Sequence, residues 1–229
     1  MKKVTKMLLS ALLCSSLIAC GSSSTDSGST ATAEPAETAT TEAADGKVYN
    51  VGIVQLVQHV ALDASAQGFQ DALKEALGED KVNFNYQNAA GDSATCNTIV
   101  SSFVTEQDDL ILAIATPALQ AAANGTDVIP VLGTAITEYG TALSIDNFNG
   151  TVGTNVSGTS DLAPLDQQAA MFDELVPDAK TIGIFYCSNE ANSKYQAEVV
   201  QEALEKSGKT VVVKTFSDSN DVQSAITSL

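Results

Sequence analysis

The chain has 229 residues, of which 28 are acidic, 11 are lysine and one is histidine, and it contains neither arginine nor tryptophan. A net charge of −17 repels phosphate backbones, and no guanidinium is present to grip phosphates or guanine edges, so the composition excludes nucleic-acid binding. A hydrophobic content of 44% indicates a folded chain, and the single histidine argues against a His/Cys metal centre.

The first 46 residues have the pattern of an export signal followed by a tether. Three lysines precede an apolar run over residues 7–19 that is too short to span a bilayer. Residues 17–21 (LIACG) resemble the lipobox of bacterial lipoproteins, which implies a signal peptide over residues 1–19 and acyl chains such as palmitate on Cys20. The alternative is an ordinary cleaved signal. Residues 20–46 are small, polar or acidic and are predicted to be a disordered tether.

From residue 47 onward, apolar strands alternate with amphipathic helices. The alternation predicts a parallel sheet covered on both faces, in an N-terminal lobe over residues 47–137. The second predicted helix begins with Asp92 or Ser93 as its N-cap. The predicted strands are 48–57, 82–87, 110–115 and 128–132, and the other two predicted helices are 63–77 and 117–123.

A glycine-rich stretch over residues 138–158 is predicted to connect this lobe to a C-terminal lobe over residues 159–229. The fold class is therefore α/β, with two doubly wound parallel-sheet lobes and a ligand cleft between them. The second lobe is shorter than a usual domain, which predicts that it is small or that the chain is a fragment. Its predicted helices begin at Pro164, 191 and 221, and its strands are 181–187 and 211–216.

Ligands of parallel α/β sheets collect at the carboxyl ends of the strands. Helix N-termini at this edge can hold a carboxylate without arginine, and Asp161 and Glu190 can balance an ammonium group, so the pattern favours an α-amino acid. The candidate ligand-binding residues are the polar side chains near predicted strand ends and helix starts: His59, Asp63, Thr116, Thr134, Ser160, Asp161, Asn189, Glu190, Asn192 and Ser193.

Each candidate also has a purely structural explanation. Asp63, Ser160, Asp161 and Ser193 stand where helix N-caps are expected. His59 follows a strand in a polar loop, where a surface imidazole is an equal alternative. Only their shared position at strand ends favours binding.

The sequence gives little support to catalysis. Ser160 has no GxSxG context, and any nucleophile–base pair would have to use His59. Residues 150–153 carry neither a P-loop lysine nor a dinucleotide fingerprint. Cys96 and Cys187 are predicted to be unpaired, mostly buried thiols, with a disulfide as the alternative. We therefore expect no catalytic residues, metal or cofactor.

Three motifs at predicted cleft positions carry a family resemblance: HVALD (59–63), SGTSD (157–161) and SNEANS (188–193). With them, nearly everything from residue 51 to residue 229 resembles the ABC-transporter solute-binding lipoproteins of the tryptophan/tyrosine-type group, which have the type I periplasmic-binding-protein fold. The sequence departs from the family at residues 137–139 (TEY), where members often carry Thr-Asp-Pro, and at residues 146–150 (DNFNG).

The resemblance implies a receptor anchored by lipid to the extracytoplasmic side of the cell membrane. Such a receptor closes on a small solute, here an aromatic or other hydrophobic amino acid, and delivers it to an ABC permease. We expect a monomer, and the resemblance implies that a further C-terminal part completes the second lobe. A sensory receptor of the same fold and a surface hydrolase using His59 are the alternatives.

Overall fold

The computed structural model describes residues 46–217 and 220–228. The predicted signal peptide, the lipid-bearing Cys20 and the predicted tether up to residue 45 lie outside these residues. None of the helices within the described ranges is long and apolar enough to cross a membrane.

The first part of the fold is a sheet of five parallel strands in the order β2-β1-β3-β4-β5. Four helices connect the strands, which confirms the predicted β-α alternation and parallel pairing. The elements are β1 (Tyr49–Gln55), α1 (Val60–Leu77), β2 (Val82–Asn88), α2 (Ser93–Glu106), β3 (Leu110–Ile114), α3 (Thr116–Gly125), β4 (Val131–Ile136), α4 (Tyr139–Leu143) and β5 (Val156–Ser160).

Helices cover this sheet on both faces, as predicted. One apolar cluster joins α2 and α3 to the strands and buries Phe103, Ile111 and Leu119 completely. The other cluster joins α1 to the opposite face around Ile53 and Leu112. The central strands β1 and β3 are therefore buried on both sides, which explains why their sequences are apolar without alternation.

Helix α2 begins as predicted, because the Asp92 carboxylate accepts hydrogen bonds from the N–H groups of Ala94 and Thr95. These bonds, with one from the Thr95 hydroxyl, hold the pKa of Asp92 below its usual value. The cap fixes the point at which the chain leaves β2 and enters α2.

Residues 138–158, predicted to connect the two lobes, instead carry α4 and lead into β5, which pairs with β4 in the first sheet. The first sheet thus extends to Ser160. The pairing shifts register between Gly133 and Ile136, where Ala135 has a φ of 55°. Strand β5 lies at the sheet edge with four of its five residues exposed, so its sequence has no apolar pattern.

The second sheet pairs β6 and β7 in parallel. One apolar cluster, which includes Ile182, Ala169 and Leu204, packs α5 and α6 against it. The bounds of β6 and α6 are those predicted, and the full set is α5 (Leu165–Leu175), β6 (Thr181–Cys187), α6 (Ala191–Lys206), β7 (Thr210–Phe216) and α7 (Val222–Thr227).

Candidate functional site

The turn from β1 into α1 forms the first wall of the candidate site. His59 is the N-cap of α1, and its Nδ1 accepts a hydrogen bond from the Ala61 N–H at 3.3 Å. The imidazole is exposed, in agreement with the alternative of a surface histidine. It also caps the start of α1.

Asp63 lies in the first turn of α1 and is half-buried. Its Oδ1 accepts a hydrogen bond of 2.7 Å from Nε2 of Gln55, the last residue of β1. The same Nε2 donates to the Val57 carbonyl oxygen at 2.9 Å. Gln55 therefore joins the strand, the loop and the helix at one point.

The two threonine candidates lie deeper than the sequence indicated. Thr116 is the first residue of α3 and only 2% exposed. Thr134 lies inside β4, because that strand runs to residue 136, and it lines a cavity of about 440 Å³ with Phe69 and Leu132. Neither side chain stands free at the edge of the sheet.

Ser160 is the last residue of β5 and Asp161 follows it, so both lie at the edge of the first sheet, and they precede α5 as predicted. The Ser160 hydroxyl donates to the Thr137 carbonyl oxygen at 2.7 Å and accepts from the Leu162 N–H. The Asp161 N–H donates to the Ile136 carbonyl oxygen, while its carboxylate is exposed. Both residues therefore belong to the first sheet's edge.

The Tyr139 side chain links the carboxyl-terminal parts of β4 and β5. Its buried hydroxyl donates towards the carbonyl oxygens of Gly133, at 3.1 Å, and Thr159, at 3.4 Å. Burial, with the nearby negative charge of Asp161, raises the pKa of Tyr139 to about 12. The tyrosine stands where related sequences were expected to have proline, and it fills the register shift between β4 and β5.

The second group of candidates lies at the carboxyl end of β6 and the start of α6. Asn189 donates from Nδ2 to the Ser217 carbonyl oxygen at 2.8 Å. Ser193 donates from its hydroxyl to Glu190 Oε2 at 3.0 Å. The Asn192 side-chain oxygen is buried and finds no partner within the described ranges. Buried polar atoms normally have a hydrogen-bond partner, so this oxygen is an exception.

Helix capping, the alternative explanation for four of the candidates, is not observed. The N-caps of α1, α5 and α6 are His59, Pro164 and Glu190. The Glu190 side chain makes no capping bond, so it leaves the N–H groups of the first turn of α6 free of a side-chain cap. Asp63, Ser160, Asp161 and Ser193 are not N-caps, and the capping interpretation is wrong for all four.

The candidates thus form two groups, one at the carboxyl edge of each sheet. The first holds His59 to Asp161 and the second Asn189 to Ser193. In the described part of the chain no hydrogen bond or ion pair joins the groups, although α4 lies against α6. Each group presents carboxylates that no lysine within these ranges neutralises: Asp63, Asp161 and Glu190.

Sequence reasoning missed the apolar part of the site. Val57 and Val60 flank His59 and are 39% and 79% exposed, and Leu162 follows Asp161 and is 41% exposed. Val60 and Leu162 each adjoin a candidate polar residue in the sequence, and Val57 lies two residues before His59. Gln55 and Thr137 were missed as well, and both are buried polar residues at strand ends.

Two further reactive groups in the described part of the chain are cysteines. Cys96 and Cys187 are both free, as predicted. Burial raises the pKa of the Cys96 thiol to about 11, so it is not a thiolate near neutral pH. Within the described ranges no group of His, Cys, Asp and Glu side chains is arranged to hold a metal ion.

Comparison with known proteins gives the family. The family model described as ABC transporter substrate binding protein matches residues 50–229. A curated "Tyrosine-binding protein" of Clostridioides difficile is 38% identical over 233 residues, covering all of this chain and 64% of its own.

Solved structures agree in fold. A Streptococcus pneumoniae ABC domain in complex with L-Trp is 36% identical, with a TM-score of 0.74 over 80% of this chain and 62% of its own. A ligand-free, open structure of a Clostridium difficile substrate-binding protein with adhesive properties is 41% identical, with a TM-score of 0.56 over the same shares.

The chain therefore spans less than two thirds of the length of each of these relatives. Its two parallel sheets form part of the type I periplasmic-binding-protein fold. The matched family and the tyrosine-binding relative are described as binding proteins, in agreement with the expectation from the sequence. By the family model and by its identity to curated and solved relatives, this chain belongs to the ABC transporter substrate-binding protein family.

Proposed function

We propose that the protein is the solute-binding component of an ABC importer and that it binds an aromatic or other hydrophobic amino acid. The observation that carries the proposal is the joint presence of unneutralised carboxylates, an uncapped helix start and exposed apolar side chains at the carboxyl edges of two parallel sheets. A hydrophobic amino acid has one group for each of these features: an ammonium group, a carboxylate and an apolar side chain.

The ligand carboxylate has a natural partner in the first turn of α6. That helix is 16 residues long and begins without a side-chain cap, so its N–H groups and the positive end of its dipole can receive an anion. This arrangement replaces the guanidinium that the sequence lacks. The Ser193 hydroxyl and the Asn192 amide lie in the same turn.

The other two parts of the ligand are matched at the first sheet. Carboxylates there suit an ammonium group, and Val57, Val60 and Leu162 provide apolar surface for a hydrophobic side chain. The tyrosine-binding relative and the L-Trp complex support an aromatic amino acid as that side chain's class.

Thermal-shift screening of the full-length protein against the common amino acids and nucleosides tests this proposal. A ligand at about 100 times its Kd stabilises the folded state by about 2.7 kcal/mol, which for a unit of this size raises Tm by about 5–10 °C. We expect such a shift with tyrosine, tryptophan or another hydrophobic amino acid. The absence of a shift with every amino acid would contradict the proposal.

We further propose that lipid on Cys20 anchors the protein to the extracytoplasmic face of the cell membrane, where an ABC permease receives the solute. The lipobox resemblance of residues 17–21 supports this placement. A Cys20→Ser variant is expected to lose incorporation of labelled palmitate and to appear in the soluble fraction. Equal labelling of variant and wild type would show that Cys20 is not the anchor.

A further inference from the structure

Gln55 is a polar side chain in a strand whose other buried residues are apolar, and it is completely shielded from solvent. Both acceptors that it contacts, the Val57 carbonyl and the Asp63 carboxylate, are oxygens, so the carboxamide nitrogen must face them. The orientation of the amide is thereby fixed by chemistry.

The Gln55 carboxamide oxygen, in contrast, has no hydrogen-bond partner among the described residues. An unpaired buried oxygen destabilises a fold, and a leucine at this position would fill similar space without that cost. A polar residue in this place is therefore poorly explained by stability alone. Its two donated bonds indicate what it does instead.

Those bonds hold the Asp63 carboxylate in one place at the carboxyl edge of the sheet. Gln55 is neutral, and no lysine within the described ranges forms an ion pair with Asp63. A half-buried, fixed carboxylate of this kind is preorganised to pair with a cation.

The other two carboxylates of the site are less suited to this role. Asp161 is exposed and makes no side-chain hydrogen bond within the described ranges, so water competes for it. Glu190 already accepts a bond from Ser193, and it stands at the start of α6, where the ligand carboxylate is placed by the proposed function. An ammonium group at Asp63 would lie on the opposite lobe from that carboxylate.

We propose that Asp63 pairs with the ammonium group of the bound amino acid and that Gln55 is the positioning residue that holds Asp63 for this purpose. The inference rests on the proposed function and assigns one end of the ligand. It predicts that the site distinguishes an amino acid from the same molecule without its amino group.

Calorimetric titration of the full-length protein tests this directly. The probes are L-tyrosine and L-tryptophan, each compared with its desamino analogue, 3-(4-hydroxyphenyl)propionate or indole-3-propionate. In Asp63→Asn we expect affinity for the amino acids to fall on the order of 10–100-fold, with the analogues nearly unaffected. In Gln55→Leu we expect the same selective loss, of about 10-fold, because the carboxylate is present but no longer held.

The same helix provides a matched control. Gln67 Nε2 donates to Asp71 Oδ1 at 2.7 Å, which is the same chemical pair on the exposed surface of α1, farther from the sheet edge. Gln67→Leu and Asp71→Asn should leave both affinities unchanged. Thermal unfolding of each variant verifies folding, and Asp63→Asn changes a half-buried side chain, so it tests the pairing even if Gln55→Leu does not fold.

Equal losses for amino acids and analogues, or no loss in either site variant, would overturn the assignment while leaving amino-acid binding intact. A wild-type protein that binds none of the four compounds and shows no thermal shift with any other hydrophobic amino acid would overturn the proposed function, and the assignment with it.

Discussion

At the scale of single residues, the buried hydroxyl of Tyr139 links the ends of β4 and β5. Its pKa of about 12 is above the value near 10 of an unfolded tyrosine. Stability from the protonated phenol is therefore fully present below pH 10 and is lost as pH rises from about 10 to about 12.

This shift predicts that the Tyr139 phenol ionises only near pH 12. Absorbance of tyrosinate after rapid pH jumps, before unfolding, should show one step near pH 12 that Tyr139→Phe removes. The variant should also lose about 1 kcal/mol of unfolding free energy with its hydrogen bonds. Superimposable titration curves for the two proteins would show that the hydroxyl is not shielded as described.

The hydrogen bond between Gln55 and Asp63 could not be predicted from the sequence. A glutamine within an apolar strand is visible as an anomaly, but its partner Asp63 is eight residues away across a loop. Only the geometry of the turn brings the two side chains within hydrogen-bond distance. The same holds for Ser160 and the Thr137 carbonyl, which are 23 residues apart.

At the scale of elements, apolar periodicity was sufficient to predict the central strands and the long helices, because these bury their side chains. It failed at α4, which has five residues and no room for a helical period, and at β5, which is exposed and held by backbone bonds to β4. The predicted lobe boundary at residue 159 therefore falls inside β5, just before Ser160 and Asp161.

The pairing of β4 with β5 depends on Gly158, which has a φ of 149°. A Cβ at this position would collide with the Gly133 carbonyl oxygen and the Tyr139 hydroxyl. We expect Gly158→Ala to lower the free energy of unfolding by more than about 2 kcal/mol, measured by urea denaturation.

Gly68 provides the control for this substitution. It lies inside α1 and does not need a positive φ, and a Cβ added to it would meet no atom within 4 Å. Gly68→Ala should therefore stabilise the protein by about 0.5–1 kcal/mol. If both alanines had the same effect, close packing at the β4–β5 corner would not be the reason for glycine at residue 158.

At the scale of the whole molecule, the excess of acidic residues does not indicate a binding partner. Within the described ranges the lysines that form ion pairs (Lys47, Lys194, Lys206 and Lys209) do so with carboxylates outside the candidate site. The 229 residues also contain no arginine that could receive a ligand carboxylate, whereas the start of α6 has no side-chain cap. The charge composition thus constrains the mechanism of binding more than the choice of partner.

Amino-acid binding is the central claim, and direct calorimetric titration of the full-length protein with L-tyrosine and L-tryptophan tests it best. We predict saturable binding of one molecule per chain for at least one of the two amino acids. Failure of both, and of every other hydrophobic L-amino acid, to bind to the folded protein would contradict amino-acid binding.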